Sequence, residues 1–203
     1  SMTSIKPRAD GTLWIKGASR EGKVLELNLE GQVAAKALPK AYPHVIANYH
    51  GDLMAADRNW ENDHSEIMQI KNLQSGVSLG QIEFHGSPFL ITDMVFTNAG
   101  DCLFSVLENS RHSWISVLTA GLVHPLAGIE WQNTTASHLA LSPDQTMLFA
   151  SNHEASFIYT IGWLQDLKNP IVQRFGELEK PFSGNAAVGG MCVDTNGWLY
   201  VAT

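Results

Sequence analysis

Short runs of alternating apolar and polar residues recur along the chain, each bounded by Gly, Asp, Asn or Pro. A period of two, rich in β-branched and aromatic residues, predicts half-buried β-strands. Lys23-Val24-Leu25-Glu26-Leu27, Glu66-Ile67-Met68-Gln69-Ile70, Trp114-Ile115-Ser116-Val117-Leu118 and Phe157-Ile158-Tyr159-Thr160-Ile161 all show it. Gln81-Ile82-Glu83-Phe84 and Ile171-Val172-Gln173-Arg174-Phe175 follow two of these as further strands. Only the stretch from Gly162 to Lys168 has room for a single helical turn.

The runs are organised as a repeat. A turn followed by a leucine-centred strand occurs at Asp10-Gly11-Thr12-Leu13-Trp14-Ile15, and again from Gly51 and from Gly100. Further copies start at Asp144 and at Asn196. Leu13, Leu53, Leu103, Leu148 and Leu199 mark the copies, at separations of 40, 50, 45 and 51 residues. Another apolar strand precedes each turn after the first, as in Met94-Val95-Phe96 and Leu139-Ala140-Leu141. Four antiparallel strands per unit of this length is the pattern of a β-propeller blade. A two-layer sandwich would not need the same turn and strand at every step. The fold expected is all-β: a β-propeller of the six-bladed type, of which the chain covers about four and a half blades of a truncated ring. Residues 3–203 form one partial propeller domain on this reading, and Ser1-Met2 a cloning remnant. Open strand edges would favour self-association.

Composition narrows the function classes. Apolar residues make up 44% of the chain, charged residues 16%, and the net charge is −7. An acidic chain with no Lys/Arg run is not expected to bind nucleic acid. No run reaches the about 18 apolar residues of a membrane helix, so no membrane partner is expected. The compartment stays open, although Asn133-Thr134-Thr135 fits a glycosylation acceptor. Cys102 and Cys192 lie singly in apolar strands and are expected to be buried thiols, not a disulfide or a zinc site. There is no G-x-S-x-G elbow for a serine nucleophile.

Two stretches carry a resemblance. "ASHLALSPDQTMLFASNHEASFIYTI" and "GGMCVDTNGWLYVAT" resemble the sugar-lactone hydrolase propellers, the gluconolactonase and regucalcin (senescence-marker) family. That family shows a P-N-G-L-A-x-S-P-D run in one blade and P-D-G-M-x-x-D-x-x-G-x-L-Y-V-A in the next. The match is strongest from Ala136 to Thr203 and stays in phase upstream. The resemblance implies a six-bladed propeller with one divalent cation, calcium or zinc, on the axis. That cation polarises a lactone carbonyl and activates water. It also implies a small lactone or sugar-like molecule as the ligand. The family's ligand positions fall on Thr3, Thr92, Ser137 and Gly189. None of these supplies the carboxylate charge that a hard cation needs.

Other residues offer chemistry of their own. One position after these sites, His44, Asp93 and His138 open three strands, and Gly190 a fourth. Two His and one Asp could ligate a metal if they converge on the axis. Strand alternation opposes this, because a shift of one residue turns a side chain to the other face; a local backbone adjustment at the strand start could undo it. Loops after the second strands are expected at the same mouth, with Asp57, Arg58, Asn59, Trp60 and His64 in one. Glu108, Asn109, Arg111 and His112 occupy the next, and Asn152, His153 and Glu154 a third. From these, Glu108 and His153 are acid–base candidates, and Arg58, Asn109 and Asn152 are substrate contacts. His50 is assigned to the opposite face, and His85 and His124 to outer strands. Two readings follow. One is a lactonase-type hydrolase of a small cyclic ester. The other is a non-catalytic propeller that binds a ligand or another domain.

Overall fold

The computed structural model describes residues 2–7, 11–17, 23–38, 44–47, 52–62, 65–85, 89–108, 112–126, 131–132, 136–152, 157–162, 171–177 and 190–202. Every regular element among them is a strand. The first sheet is β1 (Met2–Pro7), β2 (Leu13–Gly17), β3 (Lys23–Leu27) and β4 (Val33–Ala37). The second is β5 (His44–Ala47), β6 (Leu53–Asn62), β7 (Ser65–Asn72) and β8 (Ser78–His85). The third is β9 (Phe89–Phe96), β10 (Cys102–Glu108), β11 (His112–Thr119) and β12 (Leu122–Pro125), with β13 (Trp131–Gln132) also pairing β11. The fourth is β14 (Ala136–Leu141), β15 (Met147–Asn152), β16 (Phe157–Gly162) and β17 (Ile171–Glu177). A two-stranded sheet, β18 (Gly190–Val193) and β19 (Leu199–Ala202), closes the chain. All neighbours are antiparallel and, apart from the β11–β13 pair, follow chain order, which is the meander that the repeat predicts.

The first strands of successive sheets adjoin one another: β1 meets β5, β5 meets β9, β9 meets β14, and β14 meets β18. β18 also touches β1. The five inner strands therefore ring a common axis instead of stacking in two layers. The buried core lies in the second, third and fourth sheets, and cover on both faces is why their inner strands read as continuous apolar runs. In β10, Cys102, Phe104 and Val106 pack with Met54, Met68 and Ile70 of the second sheet. Leu103, on the other face, packs with Leu139 and Leu148 of the fourth. Phe149 and Ala140 in turn face Met191, Val193, Leu199 and Val201.

The hairpins share one turn chemistry. At Asp194 the carboxylate accepts bonds from the N–H groups of Asn196 (2.9 Å) and Trp198 (2.8 Å), and Gly197 takes the left-handed conformation at φ +85. Asn72 repeats the device between β7 and β8, accepting from the N–H groups of Gln74 and Ser75. In the fourth sheet Gln145 stands at the left-handed position, φ +60, where a glycine is expected. Its side-chain carbonyl accepts the Asn98 N–H at 2.8 Å, and its amide donates to the Asn98 side chain. The strained residue thus ties the third sheet's turn to the fourth's.

Several expectations change. β6 extends to Asn62 and pairs with β7 through Trp60↔Glu66 and Asn62↔Ser65, so Asp57, Arg58, Asn59 and Trp60 are strand residues, not loop residues. Likewise Glu108 ends β10, His112 opens β11 and Asn152 ends β15, all within ladders. Cys192 is exposed while Cys102 is buried. The cause is alternation: Met191 and Val193 point at the fourth sheet, so Cys192, between them, points away from it. The helical turn expected after Gly162 lies outside the described residues.

Candidate functional site

The first strand of every sheet starts, and the second strand ends, at one mouth of the ring. At that mouth three first strands carry the same irregularity. The ladder shifts between Met2 and Ser4 in β1, next to Asp93↔Ser105 in β9, and between Ala136 and His138 in β14. The extra residues are Thr3, Thr92 and Ser137. In a β-bulge two residues oppose one on the partner strand, and the strand bends. Thr92 and Asp93 both come to Ser105: the Thr92 and Ser105 hydroxyls lie 2.6 Å apart, and the Asp93 N–H donates to Ser105 Oγ at 3.1 Å.

Asp93 is 5% exposed. Its Oδ1 accepts the Met94 N–H and its Oδ2 accepts the Leu139 N–H, both at 2.9 Å. The second bond crosses from the third sheet to the fourth. A carboxylate held by two backbone donors is a strong, oriented pair of contacts. Burial, with Asp93 and Asp101 nearby, pushes the Cys102 thiol far above its ordinary range, so it stays protonated and unreactive.

The remaining candidates separate. His44 opens β5, whereas Asp93 is the fifth residue of β9 and His138 the third of β14; their ladder partners are Ala56, Ser105 and Ser151. Arg58 lies opposite Met68 in β6, Glu108 opposite His112 and Phe89, and Asn152 opposite Ala136. Asn109, His153 and Gly189 lie outside the described residues, as do His64, Arg111, Glu154 and His50. His85 and His124 lie in outer strands, as expected. Sequence reasoning did not single out Ser105 and Ser151. Their only signal was their place two residues beyond Leu103 and three beyond Leu148, on faces that turn toward the next sheet.

No protein-family model matches the chain, and neither does any curated protein sequence. Solved structures do. The calcium-binding protein regucalcin from Agrobacterium tumefaciens superposes with a TM-score of 0.58 at 15% identity, over 98% of this chain and 66% of that one. A luciferin-regenerating enzyme gives 0.62 at 11%, over 98% and 68%. Virginiamycin B lyase from Staphylococcus aureus gives 0.55 at 15%, over 98% and 62%. The fold is a partial β-propeller. The chain spans about two thirds of the length of these structures, whose names cover unlike chemistries, so the likeness shows architecture alone.

The donor set can be tested against the implied cation. Hydroxyls and a glycine stand at the family's ligand positions. Among the described residues no group of three His, Cys, Asp or Glu side chains converges. Asp93, the one buried carboxylate among the described residues, has both oxygens on backbone N–H groups. A hard cation requires several oxygen ligands with substantial negative charge. These residues do not fit one.

Proposed function

We propose that this propeller binds a small, neutral, hydroxyl-rich molecule, a sugar or sugar lactone, at its axial mouth without a metal ion. The observation that carries this reading is the commitment of Asp93 to the Met94 and Leu139 N–H groups. It makes this carboxylate a tie between sheets and leaves, among the described residues there, hydroxyl, imidazole and backbone groups as the recognition chemistry. Such groups match sugar hydroxyls as both donors and acceptors. A propeller mouth, ringed by several strand starts and loops, is a usual place for such a pocket.

A lactone-opening hydrolase is the second reading. It is favoured by the structural likeness to regucalcin and by the bulged residues, which occupy the positions where the resembling family places its ligands. Calorimetry with D-glucono-1,5-lactone and D-glucose, with and without chelator, tests the first. Proton release during lactone opening tests the second. Chelator-insensitive binding of either sugar, with no hydrolysis above background, is expected. Chelator-sensitive hydrolysis would replace the binding reading with the hydrolase, and no binding of either compound would remove it.

A further inference from the structure

From the second sheet to the fifth, every seam joins the forward face of one sheet to the backward face of the next. In the fourth sheet Leu148 and Ile161 point back at the third, while Ala140, Phe149 and Ile158 point forward onto Met191, Val193, Leu199 and Val201. The ladders give the end sheets the same phase. Leu13 forms the turn-side pair of β2, as Leu148 does in β15, so it lies on the backward face of the first sheet. Leu27 and Val33 stand across the ladder from it, and Leu25 and Ala35 share their face two places along. Tyr200 pairs with Cys192 as Phe149 pairs with Ala140, so both lie on the forward face of the fifth sheet, with Trp198.

These two faces are left uncovered. Phe149 is 7% exposed, whereas Tyr200 is 56% and Trp198 70% exposed, and Cys192 is exposed beside them. Leu148 and Ile161 are fully buried, whereas Leu13, Leu25 and Leu27 are half-buried and Val33 is 60% exposed. β1 touches β18, yet within one chain the two faces do not cover each other. Exposed apolar faces of this kind mark interaction sites. We propose that the chain self-associates head to tail, the forward face of the fifth sheet in one copy packing on the backward face of the first sheet in another. A second copy is the fitting occupant because each face is the complement of the other. An aliphatic backward face meets a forward face at each of the three seams from the second sheet to the fifth, and this chain offers one of each unused. None of the named residues on either face is charged, so the contact buries no unpaired ion. Sheet faces meet here, not strand edges, and the contact is heterologous. The inference goes beyond ligand binding at the mouth and does not depend on it.

Sedimentation velocity across the micromolar range tests it. The wild-type chain is expected to pass from monomer to dimer or larger species as concentration rises, and Cys192 to react more slowly with a thiol reagent as it does. Val33→Lys charges the backward face and Trp198→Lys the forward one. Each alone should weaken association by about tenfold or more, because the contact would bury an unpaired charge. Mixed, the two variants should form a one-to-one pair, since each keeps the face that the other has lost. Both positions are exposed, so both variants should keep the wild-type unfolding midpoint in dilute solution. A wild-type chain that stays monomeric throughout would overturn the proposal whether or not the variants fold, and is the outcome if a different protein or further polypeptide covers these faces. Association that either substitution leaves unmoved would overturn it, as would a mixture of the folded variants that stays monomeric.

Discussion

Asp93 shows how much one residue decides. Its carboxyl bridges β9 to β14 from a site 5% exposed, and removing it strands the Met94 and Leu139 N–H groups. Asp93→Ala is expected to cost about 3 kcal/mol, in the range for deleting a buried acceptor of two donors, read from urea unfolding midpoints. A loss below about 1 kcal/mol would mean that the tie is dispensable. The two thiols differ for a reason of the same scale. Cys192 should react with a thiol reagent in the native protein, and Cys102 only after unfolding. Two fast-reacting thiols would contradict the burial of Cys102. Exposed turn carboxylates give a pH signature. The Trp198 N–H first, then the Asn196 N–H and Tyr200 hydroxyl, hold Asp194 below its ordinary value of 3.8, and Asp144 is held down by Ser142 and Thr146. Their stabilisation is present above that ordinary value and is lost as pH falls through the lowered one. Asp194→Asn should therefore shrink the fall in urea midpoint at acid pH, and an unchanged fall would contradict this.

At the scale of the element, the repeated hairpin was the most legible feature. The Leu13, Leu53, Leu103, Leu148 and Leu199 copies all fold within second strands, and those of Leu103, Leu148 and Leu199 follow a tight turn. Turn and period were readable because they depend on neighbours in sequence. The bulges at Thr3, Thr92 and Ser137 were not, because a bulge is set by register against the partner strand. The length of β6 was missed because Arg58, Asn59 and Trp60 are as polar as a loop, and only pairing with β7 keeps them extended. The burial of Cys102 and the exposure of Cys192 could not be separated from their equally apolar runs. Gln145 gives a test at this scale. Gln145→Ala keeps the left-handed strain and loses the contacts to Asn98, whereas Gln145→Gly loses the same contacts and relieves the strain. The glycine variant should therefore be the more stable of the two by about 1 kcal/mol in thermal or urea unfolding. Equal stabilities would mean that the φ of +60 carries no strain.

For the whole molecule, the all-β propeller architecture followed from the spacing of five hairpins, and the ring of first strands around one axis bears it out. The candidate site was legible only as a place. Topology names the mouth to which the strand starts come, but the bonds that commit Asp93 join β9 to β14 across 46 residues of chain, and no local pattern encodes them. That commitment separates this mouth from one built around a cation. The most direct measurement is a calorimetric titration of calcium chloride, and separately zinc chloride, into chelator-treated and dialysed protein. The account predicts no stoichiometric binding of either ion, and no rise in melting temperature at millimolar calcium. Binding of one ion per chain with micromolar affinity, abolished in Asp93→Asn, would contradict it.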